Sequence, residues 1–294
     1  MSDKKKFILV GGAGRSGTTY VAAALGRHPS IATFPGVELK ILYERDGLVD
    51  LGWVLCETFS PNRAWVGLAR FRALMNQLRN GGFDQPLLEG PGIYRGVNRA
   101  LEGFYDVIAP EGIGRPMNKS DYCFAARNFF SELAALGIEC KPNATYFLEK
   151  TPHNLLAPYS LVDFVDNPLC VHVSRDPRAT AVSLVSQSWG PTTLSSAAAW
   201  VQSYYDHWFS IRNDYSKLGL SLVELSIEDI VENPAEHSRC LLADLGLENT
   251  PIFADVNGNL LAAGRNNIGF EDMHLLNERL GPIAKKLGYE SSWT

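Results

Sequence analysis

Short apolar runs alternate with amphipathic stretches along most of the chain, and this pattern predicts strands and helices in turn. The predicted strands cover residues 7–10, 31–33, 144–148, 169–174 and 220–225. The predicted helices cover residues 21–25, 195–215, 234–245 and 271–287, and another begins at Pro177. This alternation is typical of an α/β fold in which helices flank a central parallel sheet.

Residues from about 46 to 143 interrupt the alternation. Helical segments rich in aromatic residues occur there, separated by glycine clusters near positions 81, 91 and 113. We interpret this stretch as an insertion that covers one mouth of the sheet, within a single domain spanning residues 1–294.

The most informative turn follows the first predicted strand, where residues 7–20 read FILVGGAGRSGTTY. Glycines let the backbone approach an anion, and the next helix offers its free N–H groups and the positive end of its dipole. The spacing of Gly12 and Gly17 matches the ATP- and GTP-binding loop, but Thr18 and Thr19 replace its Lys-Ser/Thr pair. The nearest cation is Arg15. The sequence therefore predicts a phosphate ligand other than a magnesium-bound triphosphate.

A second anion site is predicted after the strand at 169–174. Arg175 follows the carboxyl end of this strand, where ligands of open α/β sheets bind. Ser183 lies about two helical turns further on and can face the same ligand. An ion pair between Arg175 and the adjacent Asp176 is the alternative reading of this arginine.

Two phosphate motifs without the loop lysine resemble the sulfotransferases that use 3′-phosphoadenosine 5′-phosphosulfate. Residues 14–19 resemble the 5′-phosphosulfate loop of that family, and Arg175 with Ser183 resembles its 3′-phosphate motif. Residues 149–153 (EKTPH) resemble a central segment of the bacterial and Golgi-type members, and residues 227–234 resemble a late signature. The resemblance covers nearly the whole chain outside the insertion and implies a P-loop-like sulfotransferase fold.

The resemblance also implies roles for single residues. The residues expected to bind the nucleotide are Gly14, Arg15, Ser16, Gly17, Thr18, Thr19, Arg175, Ser183 and Arg265. Backbone N–H groups and threonine hydroxyls of the first loop would hold the 5′-phosphate, and Arg175 with Ser183 the 3′-phosphate. Arg15 would neutralise charge on the leaving oxygen. Arg265 belongs to a late loop expected to close over the nucleotide.

The acceptor hydroxyl needs a general base, and two residues compete for this role. Glu38 with Lys40 resembles a glutamate pair of the sugar- and tyrosine-modifying members, and its apolar neighbours predict a raised proton affinity. The alternative to a catalytic role is that Glu38 is a solvated residue at the start of a helix. His153 is the competing base, and Lys150 is expected to reach the transferring sulfuryl group.

Composition narrows the remaining functions. The formal net charge is −5 and the pI is about 5.7, which argue against general nucleic-acid or anionic-membrane binding. No apolar run approaches membrane-spanning length, and the five cysteines lack a C-x-x-C pair. We expect a cytoplasmic protein without a metal; no feature of the sequence specifies an oligomeric state.

The acceptor is predicted only by class. Residues 50–146 contain ten Lys and Arg and ten Asp and Glu residues, so a polyanionic acceptor is not favoured. The aromatic surplus there indicates an uncharged or amphipathic small-molecule, lipid or sugar hydroxyl. The alternatives are a small-molecule kinase, which would need a loop lysine, and a nucleotide-binding protein without catalysis.

Overall fold

The computed structural model describes residues 6–34, 38–79, 91–109, 114–141, 143–256, 268–290 and 292–293. In this part of the chain, five parallel strands form one sheet in the order β2-β3-β1-β4-β5. The strands are β1 (Lys6–Gly12), β2 (Ile31–Thr33), β3 (Tyr146–Lys150), β4 (Leu169–Ser174) and β5 (Ser221–Ser226). Helices flank the sheet, which confirms the fold class predicted from the sequence.

The helices are labelled in chain order. They are α1 (Thr18–Gly26), α2 (Leu48–Gly52), α3 (Pro61–Arg79), α4 (Pro91–Ile108), α5 (Lys119–Glu139), α6 (Pro158–Phe164), α7 (Pro177–Val185), α8 (Leu194–Ile211), α9 (Asp214–Lys217), α10 (Ile227–Glu232), α11 (Pro234–Asp244) and α12 (Phe270–Lys286). A π-helical turn follows α2 at Trp53–Glu57, and a 3-10 turn follows β3 at Pro152–Leu156.

The central strand β1 contributes to both hydrophobic cores because its side chains alternate between the faces of the sheet. Phe7 and Leu9 belong to the larger core, which includes α8 and the helices between β2 and β3. Ile8 and Val10 belong to the smaller core, which includes α1 and α11. Burial on both faces explains why β1 reads as a continuous apolar run.

Two of the predicted boundaries that differ from the structure concern β3 and α8. The strand predicted at 144–148 is β3, which begins at Tyr146 and includes Glu149 and Lys150. The long helix predicted at 195–215 ends at Ile211, and α9 follows as a separate short helix. The first difference matters for function, because side chains at Glu149 and Lys150 point to opposite faces of the sheet.

The helices α2–α5 lie between β2 and β3 in the sequence and pack on the β1 face that holds Phe7. The Phe7 ring centroid lies 5.6 Å from that of Phe130 in α5. Half of the ten aromatic side chains described in this stretch are core residues: Phe71, Phe104, Tyr122, Phe129 and Phe130 are buried. Trp53, Trp65 and Phe124 are exposed. A substrate pocket can therefore draw on only part of the aromatic surplus seen in the sequence.

The register of the sheet brings the predicted motifs to one edge. Val10 pairs with Lys150 on one side of β1, and Gly12 pairs with Val173 on the other. Because the strands are parallel, the ends of β3, β1 and β4 lie side by side. The residues predicted to bind the nucleotide follow the ends of β1 and β4, and those predicted to act on the sulfuryl group or the acceptor lie at the end of β3.

Candidate active site

The loop after β1 is held in place by its own polar groups. Ser16 is fully buried; its hydroxyl donates to the Val173 carbonyl at 2.7 Å, and its amide donates to the Ala13 carbonyl at 3.0 Å. A Cβ at Gly12 would collide with the same Val173 carbonyl, so only glycine fits there. These two contacts let Ser16 shape the loop. A contact between the Ser16 amide and a phosphate stays a prediction.

Helix α1 begins inside this loop. Its N-cap Gly17 has a left-handed backbone with φ of 99°, and no described side chain caps the helix. Thr18 is buried and Thr19 is exposed. The N-terminus of α1 therefore presents its positive dipole end at the edge of the sheet, as an anion site requires.

Arg15 links the two predicted anion motifs. Its backbone has φ of 71°, a conformation that costs a non-glycine residue about 1 kcal/mol or more and clusters at functional sites. The Arg15 Nε donates to the Ser183 hydroxyl of α7 at 3.3 Å. The first loop and the Arg175–Ser183 motif thus form one continuous site.

The charges at this junction fit an anion. Arg175 follows β4 and is buried, and its pKa is lowered by burial and further by the positive charge of Arg15. The carboxylate of Glu228 acts in the opposite direction. Negative charge on a ligand beside Arg175 would offset the unfavourable effect of the Arg15 charge on it. This arrangement fits an anionic ligand.

Asp176 binds a different arginine from the one that the sequence suggested. Its carboxylate caps α7 by accepting from the Arg178 amide at 2.9 Å, and it binds the Arg178 guanidinium at 2.8 Å. The Trp293 indole N–H also donates to Asp176 at 2.8 Å. The cluster of Asp176, Arg178 and Trp293 therefore anchors the start of α7 to the end of the described chain.

A second polar cluster lies at the end of β3. The Lys150 ammonium donates to Glu38 Oε1 at 2.5 Å and to the Thr19 hydroxyl at 3.1 Å. The Lys40 ammonium lies 3.5 Å from the other Glu38 oxygen. The side chain of Lys150 is 10% exposed and that of Glu38 is 28% exposed, so an external molecule can reach the carboxylate. Glu38 and Lys150, both predicted from the sequence, meet beside the first loop.

His153 forms a separate pair that the sequence did not indicate. Its Nδ1 lies 2.8 Å from Glu44 Oε1, and this hydrogen bond lowers the pKa of Glu44. The His153 ring lies 5.7 Å from the Trp200 ring, centroid to centroid. A carboxylate that orients a histidine is the arrangement of many general bases. The structure therefore keeps His153 as a competitor of Glu38.

Trp200 of α8 lies at the site. A Cβ at Gly14 would lie 3.2 Å from the Trp200 ring, so the indole covers the first loop directly. His172 lies in the core: it is buried, and its ring is stacked on that of Trp208 with 3.9 Å between the centroids. Burial lowers the pKa of His172 to about 3, so it is neutral.

One predicted site residue cannot be placed in this geometry. Arg265, with its late loop, falls outside the described residues. In the described part of the chain, no group of three or more His, Cys, Asp and Glu residues could hold a metal ion. Within that same part, no helix is long and apolar enough to cross a membrane.

Comparison with known proteins identifies the family of this arrangement. A family model described as "Sulfotransferase family" matches residues 94–251, more than half of the chain. The matched stretch contains the 149–153 segment, the Arg175–Ser183 motif and the 227–234 signature. The first loop and Glu38 precede it.

Two solved structures of sulfotransferases are similar to this chain at low sequence identity. The sulfotransferase domain of the Synechococcus PCC 7002 olefin synthase is 15% identical, with 97% of this chain and 94% of that chain covered and a TM-score of 0.48. A sulfotransferase from Mycobacterium avium is 14% identical, with 98% and 76% covered and a TM-score of 0.47. No curated protein matches the sequence.

Proposed function

The chain belongs to the sulfotransferase family, and from this premise we propose that it transfers a sulfuryl group from 3′-phosphoadenosine 5′-phosphosulfate to a hydroxyl. The observation that carries the proposal is the position of Lys150. Its ammonium binds both the Glu38 carboxylate and the Thr19 hydroxyl of the first loop. A candidate base and the start of the anion-binding helix are thus joined by one cation.

The residues around the first loop suit the donor. Arg175 and Ser183 would bind its 3′-phosphate, and the α1 amides with the hydroxyl of Thr19 would bind its 5′-phosphate. Arg15, which reaches Ser183 at 3.3 Å, would stabilise charge on the leaving oxygen. The donor, when bound, would supply the activated sulfuryl group, and 3′,5′-adenosine bisphosphate would be the leaving group. The protein needs chiefly to position the reactants and stabilise charge.

Glu38 is the residue that we place at the acceptor hydroxyl. A carboxylate oxygen can take the hydroxyl proton as the oxygen attacks, provided that it lies within hydrogen-bond reach. Lys150 and Lys40 hold this carboxylate from two sides. Lys150 also lies near enough to the loop to stabilise negative charge on the transferring group.

The acceptor is proposed to be a small-molecule, lipid or sugar hydroxyl. The stretch at about 46–143 would cover the acceptor side of a single domain spanning residues 1–294. Its charge balance of ten basic and ten acidic residues between 50 and 146 favours an uncharged or amphipathic molecule. A cytoplasmic location and catalysis without a metal stay predictions.

Ligand-dependent stability tests the donor. We expect 3′,5′-adenosine bisphosphate at one hundred times its dissociation constant to add about 2.7 kcal/mol to the free energy of unfolding. ATP with Mg²⁺ serves as the control for a kinase. Stabilisation by ATP alone would favour the kinase and contradict the proposal.

Sulfuryl transfer itself is tested with donor labelled in the sulfuryl group and a panel of phenols, alcohols, lipids and sugars. We expect transfer to at least one acceptor class, in the presence of a metal chelator. Binding of the bisphosphate with no transfer to any acceptor would instead favour a nucleotide-binding protein without catalysis.

A further inference from the structure

Glu149 is a buried carboxylate beside the site that the proposed chemistry does not use. Its side chain is 3% exposed, one residue before Lys150 in β3. Its Oε1 accepts from the Leu39 amide at 3.1 Å and from the Thr151 hydroxyl at 2.5 Å. Its Oε2 accepts from the Asn154 side-chain amide at 2.6 Å. All of these contacts concern the loop that carries Glu38 or the turn after β3.

The hydrogen bonds fix the backbone next to Glu38. The Lys40 amide donates to the Thr151 hydroxyl at 3.1 Å, so two successive amides, Leu39 and Lys40, are bound by the end of β3. Lys40 has φ of 55°, a conformation that a non-glycine residue adopts only when its surroundings hold it there. Lys150, between Glu149 and Thr151, binds the Glu38 side chain.

We propose that Glu149, through Thr151, is a positioning residue that holds the 38–40 loop so that the Glu38 carboxylate meets Lys150 and the acceptor. This inference rests on the proposed function, in which Glu38 takes the acceptor proton. Three consecutive residues at the end of β3 then determine the position of Glu38. Glu149 and Thr151 bind the backbone amides that follow Glu38, and Lys150 binds its side chain. A displacement of about 1 Å at a reacting group can reduce turnover by about 10²-fold.

The neighbouring Asn154 allows Glu149→Gln to serve as a conservative variant. Its Oδ1 is buried and has no hydrogen-bond partner in the described part of the chain. In Glu149→Gln, the new amide can keep its oxygen toward Leu39 and Thr151. Asn154 can turn its own amide so that Oδ1 accepts from the glutamine. Glu149→Gln therefore preserves the network, whereas Glu149→Ala removes it.

A double-mutant cycle with Glu38→Gln separates positioning from a general loss of structure. We expect Glu149→Ala to reduce kcat by about 10- to 100-fold in the wild-type background and less than about threefold in the Glu38→Gln background. The affinity for 3′,5′-adenosine bisphosphate and the acceptor KM should stay within about twofold. Glu149→Gln should retain kcat within about threefold.

Thr151→Val is the second variant, in case Glu149→Ala does not fold. It removes the acceptor of the Lys40 amide and should reduce kcat in the same direction, again without further effect in Glu38→Gln. Three outcomes would overturn the inference. The first is an equal loss of kcat in the wild-type and Glu38→Gln backgrounds, and the second is an unchanged kcat in both Thr151→Val and Glu149→Ala. The third is a loss of nucleotide affinity in parallel with the loss of kcat.

Hydrogen exchange at residues 38–40 gives a readout independent of turnover. We expect faster exchange in Glu149→Ala and Thr151→Val than in wild type and Glu149→Gln. Wild-type exchange in both variants would overturn the inference. If the loop loosens as expected but wild-type protein transfers no sulfuryl group, the positioning of the loop is supported and the proposed function is overturned.

Discussion

The Lys150 ammonium lies 2.5 Å from the Glu38 carboxylate, although the two residues are 112 positions apart in the sequence. Lys150 ends the strand next to β1, and Glu38 follows the strand beyond it. The pair therefore exists because β3 lies between β1 and β2 in the sheet. The parallel topology places a candidate base and a cation at the same edge as the anion-binding loop.

Glu38→Gln should reduce turnover by about 10² to 10⁴, the usual share of a general base, while fold and nucleotide affinity are kept. The amide oxygen of glutamine can still accept from Lys150, so the loss would reflect proton transfer. Steady-state kinetics with the labelled donor measures kcat, and titration with 3′,5′-adenosine bisphosphate measures affinity.

His153→Ala is the matched comparison for Glu38→Gln, and its effect on turnover should be the milder one. His153 is held by Glu44 at 2.8 Å, so Glu44→Gln should resemble His153→Ala. If His153→Ala and Glu44→Gln reduce kcat more than Glu38→Gln does, the proton-accepting role belongs to His153.

Arg175→Ala should weaken 3′,5′-adenosine bisphosphate by one to two decades and leave 5′-adenosine monophosphate nearly unchanged. The reason is the loss of a charge-assisted contact with the 3′-phosphate, typically worth about 1.5–3 kcal/mol. Isothermal titration with both nucleotides gives the ratio of the two affinities.

Arg212→Ala is the control for Arg175→Ala. Arg212 forms an ion pair with Glu224, with both side chains at least one third exposed, and should not affect either nucleotide. Equal weakening of both nucleotides by Arg175→Ala would mean that Arg175 has a structural role and that the 3′-phosphate binds elsewhere.

The sequence predicted those parts of the site that follow one another along the chain. The first loop and the Arg175–Ser183 motif each combine a strand end, a turn and a helix start within about a dozen residues. Local rules therefore suffice to recognise them. Their contact through Arg15 and Ser183 follows from the adjacency of β1 and β4 in the sheet.

Pairings between distant segments could not be predicted in this way. Glu44 meets His153, and Trp200 covers Gly14, only after the loops and α8 have packed. Glu149 directly follows the apolar residues of β3, and a carboxylate in that place can be either exposed or part of a buried polar network. The sequence could not decide between the two, because the partners are backbone and side chains of other segments.

Trp293→Phe should lower the free energy of unfolding by about 1–3 kcal/mol, because it removes a hydrogen bond to the Asp176 carboxylate. Trp293 is buried and its ring lies 5.1 Å from the Arg178 guanidinium, a contact that phenylalanine partly keeps. Since Asp176 caps α7, affinity for 3′,5′-adenosine bisphosphate should also fall.

Trp189→Phe is the control for Trp293→Phe. Trp189 is 65% exposed, and we expect the free energy of unfolding to change by no more than about 0.5 kcal/mol. Equal effects of both variants on denaturant unfolding would contradict the anchoring role.

The stability of the protein should depend on pH through Glu149. Burial raises the pKa of Glu149 from 4.5 to about 7, against the opposing hydrogen bonds of Thr151 and Leu39. Between these two values the folded chain retains a proton that the unfolded chain has released. The contribution of Glu149 to the free energy of unfolding is therefore fully present below pH 4.5 and is lost as the pH rises to about 7.

Glu149→Gln removes this titration and so isolates it. Relative to wild type, the variant should gain stability as the pH rises from 4.5 to about 7, by at most about 1.4 kcal/mol per pH unit. Above that range the difference between the two proteins should be constant, because Glu149 is then ionised in both states. Denaturant unfolding at half-unit pH intervals measures both curves, and the difference cancels every group that the two proteins share. Parallel curves across the range would show that Glu149 is already ionised in the folded protein at low pH. In that case its three hydrogen-bond donors outweigh the cost of burying its charge.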